Sequence, residues 1–199
     1  MADSNRNVFN GHVQTVNPGG SSSIILVCEH ASHFIPTEFD NLALNDGVRK
    51  SHVAWDPGAM AVAQRLAERL DAPLISSGVS RLVYDCNRPP SAPDAMPARS
   101  EVIEIPGNLG LGRADRDRRV QIYYEPFRNT LQSRIADTDA PIIVTIHSFT
   151  PVYHGQTRSV EIGVLHDTDT RLADALFATA WNLSTARYGG RQAQAAKAL

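Results

Sequence analysis

Two uninterrupted apolar segments constrain the fold of this chain more than any other feature. Residues 24–28 (IILVC) follow a Gly/Ser cluster, and residues 141–147 (PIIVTIH) end on a histidine. Continuous apolar runs of this length are typical of strands that are buried on both faces within a parallel sheet. Such strands need helices above and below them, so the two segments predict an α/β domain.

Helical and strand-like segments alternate along the rest of the chain. The helices are predicted over 56–71, 113–136 and 170–181, and the further strands over 73–75, 79–85 and 160–165. The alternation favours a mixed, largely parallel sheet flanked by helices. Residues 1–23 are predicted to be a flexible lead-in, residues 24–181 the α/β domain, and residues 182–199 a poorly ordered tail.

Composition excludes several classes of partner. The formal net charge of −2 gives no overall attraction to nucleic acid or to an anionic membrane. No apolar run approaches the roughly 20 residues that a membrane span needs.

Cys28 and Cys86 form no CxxC pattern, which favours a reducing, cytoplasmic setting. Cys28 lies in an apolar strand and is expected to be buried rather than to act as a nucleophile.

Two of the predicted strands lead directly into histidines. His30 and His147 follow the two apolar runs, and the carboxyl ends of parallel strands are where α/β proteins collect reactive groups. Both are candidate zinc ligands, although each can equally form only a hydrogen bond at the sheet edge. Asp56, at the start of the first predicted helix, is a candidate third ligand or simply an N-cap. His33 and His52 are fallback ligands.

A polar cluster follows in the segment SRLVYDCNRPP. It carries Arg81, Asp85, Asn87 and Arg88 within eight residues. Arginine recognises a carboxylate through two parallel hydrogen bonds, and arginine and asparagine can also polarise an amide oxygen. The cluster therefore predicts recognition of an amino-acid carboxylate. The alternative is a solvated strand end with an Arg–Asp pair.

Taken together, these segments resemble the N-formylglutamate amidohydrolase family. The matching stretches are VCEHASHFIP, HVAWDPGAMAVAQRLAERL, VSRLVYDCNRPP, IPGNLGL and IHSFTPVYHGQTRSVEIGVLHD, in the family's order over residues 24–177. The resemblance implies a hydrolase fold similar to that of zinc carboxypeptidases and aspartoacylases. It also implies hydrolysis of N-formyl or other N-acyl amino acids with Zn²⁺ as cofactor; a carboxypeptidase-like or aspartoacylase-like activity is a weaker alternative.

The resemblance also implies roles for individual residues. It gives His30, Asp56 and His147 as metal ligands, and Arg81, Asn87, Arg88 and Arg158 as substrate contacts, with Arg81 and Arg88 also serving catalysis. The expected partner is therefore a small N-acyl amino acid.

The chain departs from the family pattern after Trp181. Family members continue into a strand that carries a glutamate, which is the expected general base, whereas residues 182–199 contain no acidic residue. Glu161 lies in a strand pattern near Arg158, but nothing marks it as a substitute. The departure predicts a C-terminally incomplete domain with little or no hydrolase activity. A non-catalytic protein that binds metal or an acyl amino acid is the alternative.

Overall fold

The fold is given by a computed structural model that describes residues 7–153, 155–158, 160, 162–187 and 194–197. The chain divides into two compact units between Phe149 and Thr150.

The first unit is built around a five-stranded sheet. In chain order its strands are β1 (Val8–Asn10), β2 (Val13–Val16), β3 (Ile24–Cys28), β4 (Leu74–Ser77), β5 (Arg99–Ser100), β6 (Ile103–Glu104) and β7 (Ile142–Thr145). The main sheet has the order β1–β2–β4–β3–β7, and β5 pairs with β6 as a separate hairpin. Strand β3 runs parallel to β4 and β7, whereas β2 is antiparallel to β1 and β4. The predicted mixed α/β sheet is confirmed.

Within its described residues this unit has four α-helices: α1 (Asp46–Arg49), α2 (Ala59–Leu70), α3 (Arg113–Arg119) and α4 (Glu125–Ala136). Helices α3 and α4 fill the predicted helix over 113–136, with a π-helical segment, Val120–Tyr124, between them. This wider turn lies just before Pro126, which has no N–H to donate to the preceding turn. Short 3₁₀ turns cover Pro93–Ala95 and Pro106–Asn108.

The two apolar runs differ in burial. In β3, Ile25, Leu26 and Val27 are all buried, as expected for a strand covered on both faces. In β7, Ile142 and Ile143 are 40% and 47% exposed. The reason is position, because β3 is flanked by strands on both sides while β7 forms the edge of the sheet within the first unit.

Residues 8–16 form a hairpin, which differs from the predicted flexible lead-in over 1–23. Gly11 adopts a φ of +60° at the turn, a conformation that costs glycine little. Val13 and Val16 are buried, and β2 pairs with β4 over its whole length. The lead-in therefore contributes two strands to the sheet from residue 8 onward, and residues 1–6 lie outside the described range.

The predicted strand over 79–85 is wrong, because this segment is a buried turn organised by Ser80. The Ser80 hydroxyl donates to the Ala54 carbonyl at 2.8 Å and accepts from the Leu82 N–H at 3.1 Å. The Val83 N–H donates to the Ser80 carbonyl at 2.9 Å. Local hydrogen bonds of this kind compete with strand pairing. Here they give the backbone N–H and carbonyl groups of the segment partners, while most of its side chains stay buried in the core.

The second unit contains β8 (Val152–Tyr153), β9 (Gln156–Thr157), β10 (Gly163–His166), α5 (Arg171–Arg187) and β11 (Gln194–Lys197). Strand β8 pairs with β9, and β10 runs parallel to β11. The strand and helix predicted at 160–165 and 170–181 correspond to β10 and α5. Helix α5 and β11 extend into the predicted tail, whose other residues lie outside the described range. No helix in the described part of the chain is long and apolar enough to cross a membrane.

Candidate metal centre and active site

Two histidines meet at one edge of the main sheet. His30 follows β3 and His147 follows β7, and these strands are parallel neighbours. Their carboxyl ends therefore lie at the same edge, and the two imidazole ring centroids are 5.0 Å apart. The structure brings together the pair that the sequence places at strand ends.

Asp56 completes the cluster between them. Helix α2 begins at Ala59 with Gly58 at its N-cap, so the Asp56 side chain does not cap the helix. Its Oδ2 atom lies 3.4 Å from Nδ1 of His30 and 3.0 Å from Nδ1 of His147. The Asp56 N–H donates to the His30 carbonyl at 2.9 Å, which ties the loop before α2 to the end of β3.

The ligand atoms of His30, Asp56 and His147 all lie within 4.8 Å of one another. Two imidazole nitrogens and one carboxylate oxygen form a donor set that suits Zn²⁺, and three protein ligands are typical of catalytic rather than structural zinc sites. Burial lowers the pKa of His147, although Glu29 opposes the shift. A neutral imidazole is the form that binds a metal. The residues therefore fit a zinc site.

Asp85 is a site residue whose role the sequence did not reveal. Its Oδ1 atom lies 2.7 Å from Nε2 of His30, and both side chains are buried. Burial opposes ionisation of Asp85, but the hydrogen bond and charge of His30 and the N–H of Asn87 outweigh it and lower the pKa of Asp85. The contact orients the His30 ring with Nε2 toward Asp85 and Nδ1 toward Asp56.

Arg81 joins the site through its contact with Asp56. Its Nη2 atom donates to Oδ1 of Asp56, the carboxylate oxygen that does not face the histidines. Burial lowers the pKa of Arg81, while the nearby carboxylate of Asp85 raises it. In this arrangement Arg81 holds Asp56 in place, and its role as a direct substrate contact stays a prediction.

The other predicted substrate contacts occupy more exposed positions. The Arg88 side chain is 44% exposed, and its Nε donates to Oδ2 of Asp94 at 2.8 Å. That hydrogen bond raises the pKa of Arg88, and Asp85 adds a favourable charge. Asn87 supplies a backbone N–H to Asp85 at 2.9 Å. Arg158 lies in the second unit, where its N–H donates to the Pro151 carbonyl.

The fallback candidates are engaged elsewhere. The His33 ring packs against Trp55 at 4.9 Å between centroids, and Nε2 of His52 lies 3.0 Å from Oε1 of Glu101. Burial raises the pKa of Cys28 to about 12, so its thiol stays protonated and is a poor nucleophile. Glu161 lies outside the described residues.

The chain is similar to known proteins in both sequence and structure. The N-formylglutamate amidohydrolase family profile matches residues 22–190, which is most of the chain. The chain belongs to this family. A crystal structure of an Agrobacterium tumefaciens gene product, Atu2144, superposes with a TM-score of 0.86 at 46% sequence identity. The match covers 94% of this chain and 73% of that chain. Among curated proteins, none matches.

Membership of this family identifies the chain as a hydrolase of the N-formylglutamate amidohydrolase kind. The site is rich in carboxylates. Glu29, Asp56 and Asp85 are buried in it, and the Arg81 guanidinium is bonded to Asp56. Buried charges are normally paired or coordinate metals, so the excess of carboxylates in this amidohydrolase-family protein favours a bound cation.

Proposed function

We propose that the protein is a zinc-dependent hydrolase that cleaves the amide bond of N-formyl or other N-acyl amino acids. The observation that carries the proposal is the convergence of His30, Asp56 and His147, whose ligand atoms lie within 4.8 Å of one another. The family to which the chain belongs supplies the reaction class.

Within this proposal the protein's own residues have separate tasks. His30, Asp56 and His147 hold the ion, which when bound polarises the amide carbonyl and brings the pKa of water toward roughly 7. Asp85 fixes the orientation of the His30 ring through the 2.7 Å contact. Arg81 neutralises and orients Asp56 by donating to Oδ1.

Arg88 is the proposed receptor for the substrate carboxylate. Its guanidinium is partly exposed and already binds a carboxylate, that of Asp94. A substrate carboxylate can take the place of Asp94 because the exposed Arg88–Asp94 pair is worth little in water. Asn87, next to Arg88, and Arg158 are proposed as further contacts for the small-molecule substrate.

Cysteine usage supports a location for this activity. Cys28 and Cys86 are both buried and unpaired. Free buried thiols fit a reducing compartment, and we propose the cytoplasm.

A protein that binds N-acyl amino acids without hydrolysing them is the second candidate. The engagement of Asp56 by Arg81 and of Asp85 by His30 favours it, because two of the three buried carboxylates of the site are already occupied. Calorimetry with N-acetylglutamate beside an assay for formate release from N-formylglutamate separates the two candidates. Binding without turnover supports the second.

The metal requirement is tested on the purified chain and on His30→Ala, His147→Ala and His52→Ala variants. His52 is the matched control, since it is an exposed histidine bonded to Glu101. Wild type and His52→Ala are expected to contain about one equivalent of zinc, whereas the other two variants lose it together with any formate release that wild type shows. Substoichiometric zinc that neither ligand substitution changes would overturn the proposal.

A further inference from the structure

One oxygen of the Asp85 side chain makes two contacts, and the proposed function uses only the first. Oδ1 of Asp85 lies 2.7 Å from Nε2 of His30, and it also accepts the backbone N–H of Asn87 at 2.9 Å. This oxygen therefore joins a proposed metal ligand to the segment that carries Arg88, the proposed receptor for the substrate carboxylate.

The segment from Asp85 to Arg88 is a tight turn that Asp85 holds from both its main chain and its side chain. The Arg88 N–H donates to the Asp85 carbonyl at 2.9 Å, which closes a β-turn. The Asn87 N–H donates to the Asp85 carboxylate, which is the pattern of an Asx turn. The backbone conformation of this turn therefore depends on the Asp85 carboxylate.

The same turn directs the guanidinium of Arg88. Nη1 of Arg88 donates to the Asn87 carbonyl at 3.1 Å, and the hydroxyl of the buried residue Tyr84 donates to the Arg88 carbonyl at 3.4 Å. A long side chain that must be ordered during binding costs affinity, and a side chain that is held beforehand avoids part of that cost.

We infer that Asp85 is a positioning residue for the substrate carboxylate: its Oδ1 atom folds the turn that presents Asn87 and Arg88. The same atom orients His30, so a single oxygen arranges the metal side and the substrate side of the site. The inference rests on the proposed function and assigns Asp85 no contact with the substrate.

Two variants separate the contacts of Asp85. Asp85→Ala removes both of them. Asp85→Ser keeps a hydroxyl that can accept the Asn87 N–H, more weakly than a carboxylate does, but that is too short to reach Nε2 of His30. Asp117→Ala, which removes an exposed carboxylate from α3, is the control. Calorimetry measures zinc affinity for each protein, and then the affinity for N-acetylglutamate at zinc concentrations that saturate the site.

Hydrogen exchange of the metal-free, ¹⁵N-labelled chain gives a readout that needs neither zinc nor substrate. Asn87 is exposed, so the hydrogen bond to Asp85 rather than burial protects its N–H. Protection of this N–H should fall about tenfold in Asp85→Ala, less in Asp85→Ser and not at all in Asp117→Ala.

We expect zinc to bind about 10–100-fold more weakly to both Asp85 variants. N-acetylglutamate should bind about 3–10-fold more weakly to zinc-saturated Asp85→Ala, whereas Asp85→Ser should recover most of that affinity. A purely structural role for Asp85 would not separate the two affinities in this way. Wild-type affinity for N-acetylglutamate in Asp85→Ala overturns the inference, and so does unchanged exchange of the Asn87 N–H.

Failure of the proposed function gives a different result. If wild type does not bind N-acetylglutamate, the proposed function fails, and exchange of the Asn87 N–H alone decides whether Asp85 folds the turn. If Asp85→Ala does not unfold cooperatively, Asp85→Ser decides the inference. Loss of zinc affinity with nearly wild-type affinity for N-acetylglutamate supports it, and an equal loss of both overturns it.

Discussion

Oδ1 of Asp85 lies 2.7 Å from Nε2 of His30, on the opposite side of the imidazole from Asp56. The contact joins the segment after the Ser80 turn to the end of β3, so a loop residue sets the orientation of a strand-end histidine. The backbone at Asp85 is itself held in place, because the Asp85 N–H donates to the Ala95 carbonyl at 2.8 Å.

Asp85→Ala should therefore weaken zinc binding although Asp85 is not itself a ligand. Loss of a carboxylate behind a ligating histidine typically costs 10–100-fold in metal affinity, and we expect a reduction of about that size. Calorimetric zinc titration measures it. Asp117→Ala, which removes an exposed carboxylate from α3, is the control. Equal affinities for the two variants would show that His30 does not need its partner.

Arg81→Gln should have the opposite effect on zinc affinity. The substitution removes the positive charge that donates to Asp56, so a divalent cation meets less repulsion and binds more tightly. Without metal, the variant should lose about 1–3 kcal/mol of unfolding free energy because the buried Asp56 carboxylate loses a charged donor. Urea unfolding without zinc measures the expected loss of unfolding free energy, and unfolding with zinc measures the expected gain in zinc affinity. A variant that weakens zinc binding would show that Arg81 organises the ligands more than it repels the ion.

The buried pair of Asn108 and Arg119 should be important for stability. Nη1 of Arg119 donates to Oδ1 of Asn108 at 2.7 Å, and the Asn108 amide donates to the carbonyls of Leu82 and Pro97. Asn108→Ala leaves these buried groups without partners, and we expect a loss of about 1–3 kcal/mol in unfolding free energy. Urea denaturation measures it against Asn129→Ala, an exposed position on α4. A loss no larger than that of the control would contradict the prediction.

The contribution of Asp71 to stability should depend on pH. Its carboxylate accepts from the Ser21 hydroxyl at 2.7 Å and from Asn17 at 3.0 Å, and these contacts lower its pKa from 3.8. A lowered folded-state pKa gives stability that is fully present above the unfolded value and is lost as pH falls through the folded value. Asp71→Asn suits the comparison because asparagine tolerates the left-handed backbone found there.

Wild type should therefore unfold at higher urea concentration than Asp71→Asn near neutral pH, and the difference should shrink below pH about 4. Urea titrations across that range measure the difference between the two proteins, so acid effects common to both cancel. A difference that stays constant with pH would show that the negative charge of Asp71 is not what stabilises the fold.

The sequence places the two histidines better than the residues around them. His30 and His147 follow apolar segments that are predicted to be parallel strands, so both are expected at the carboxyl ends of the sheet. That β3 and β7 are neighbours is seen only in the structure. The contact of Asp85 with His30 depends on which way a buried turn directs the Asp85 side chain. The alternation of apolar residues over 79–85 fits a strand and a buried turn equally well. The hydrogen bond from Ser80 to the Ala54 carbonyl, which distinguishes the turn from a strand, joins residues far apart in the sequence.

Arg88→Lys tests the proposed recognition of the substrate carboxylate. Lysine keeps the positive charge but lacks the planar guanidinium that binds a carboxylate through two parallel hydrogen bonds. If Arg88 leaves Asp94 to hold the substrate, the variant should bind N-acetylglutamate about 1–3 kcal/mol more weakly. Its zinc content should be unchanged, because among the described residues Arg88 is bonded to Asp94 and to the Asn87 carbonyl and not to the proposed ligands. Calorimetry on zinc-loaded protein measures the loss, with Arg113→Lys on exposed α3 as the control. An affinity equal to that of wild type would remove Arg88 from the substrate site and leave the substrate carboxylate to Arg81 or Arg158.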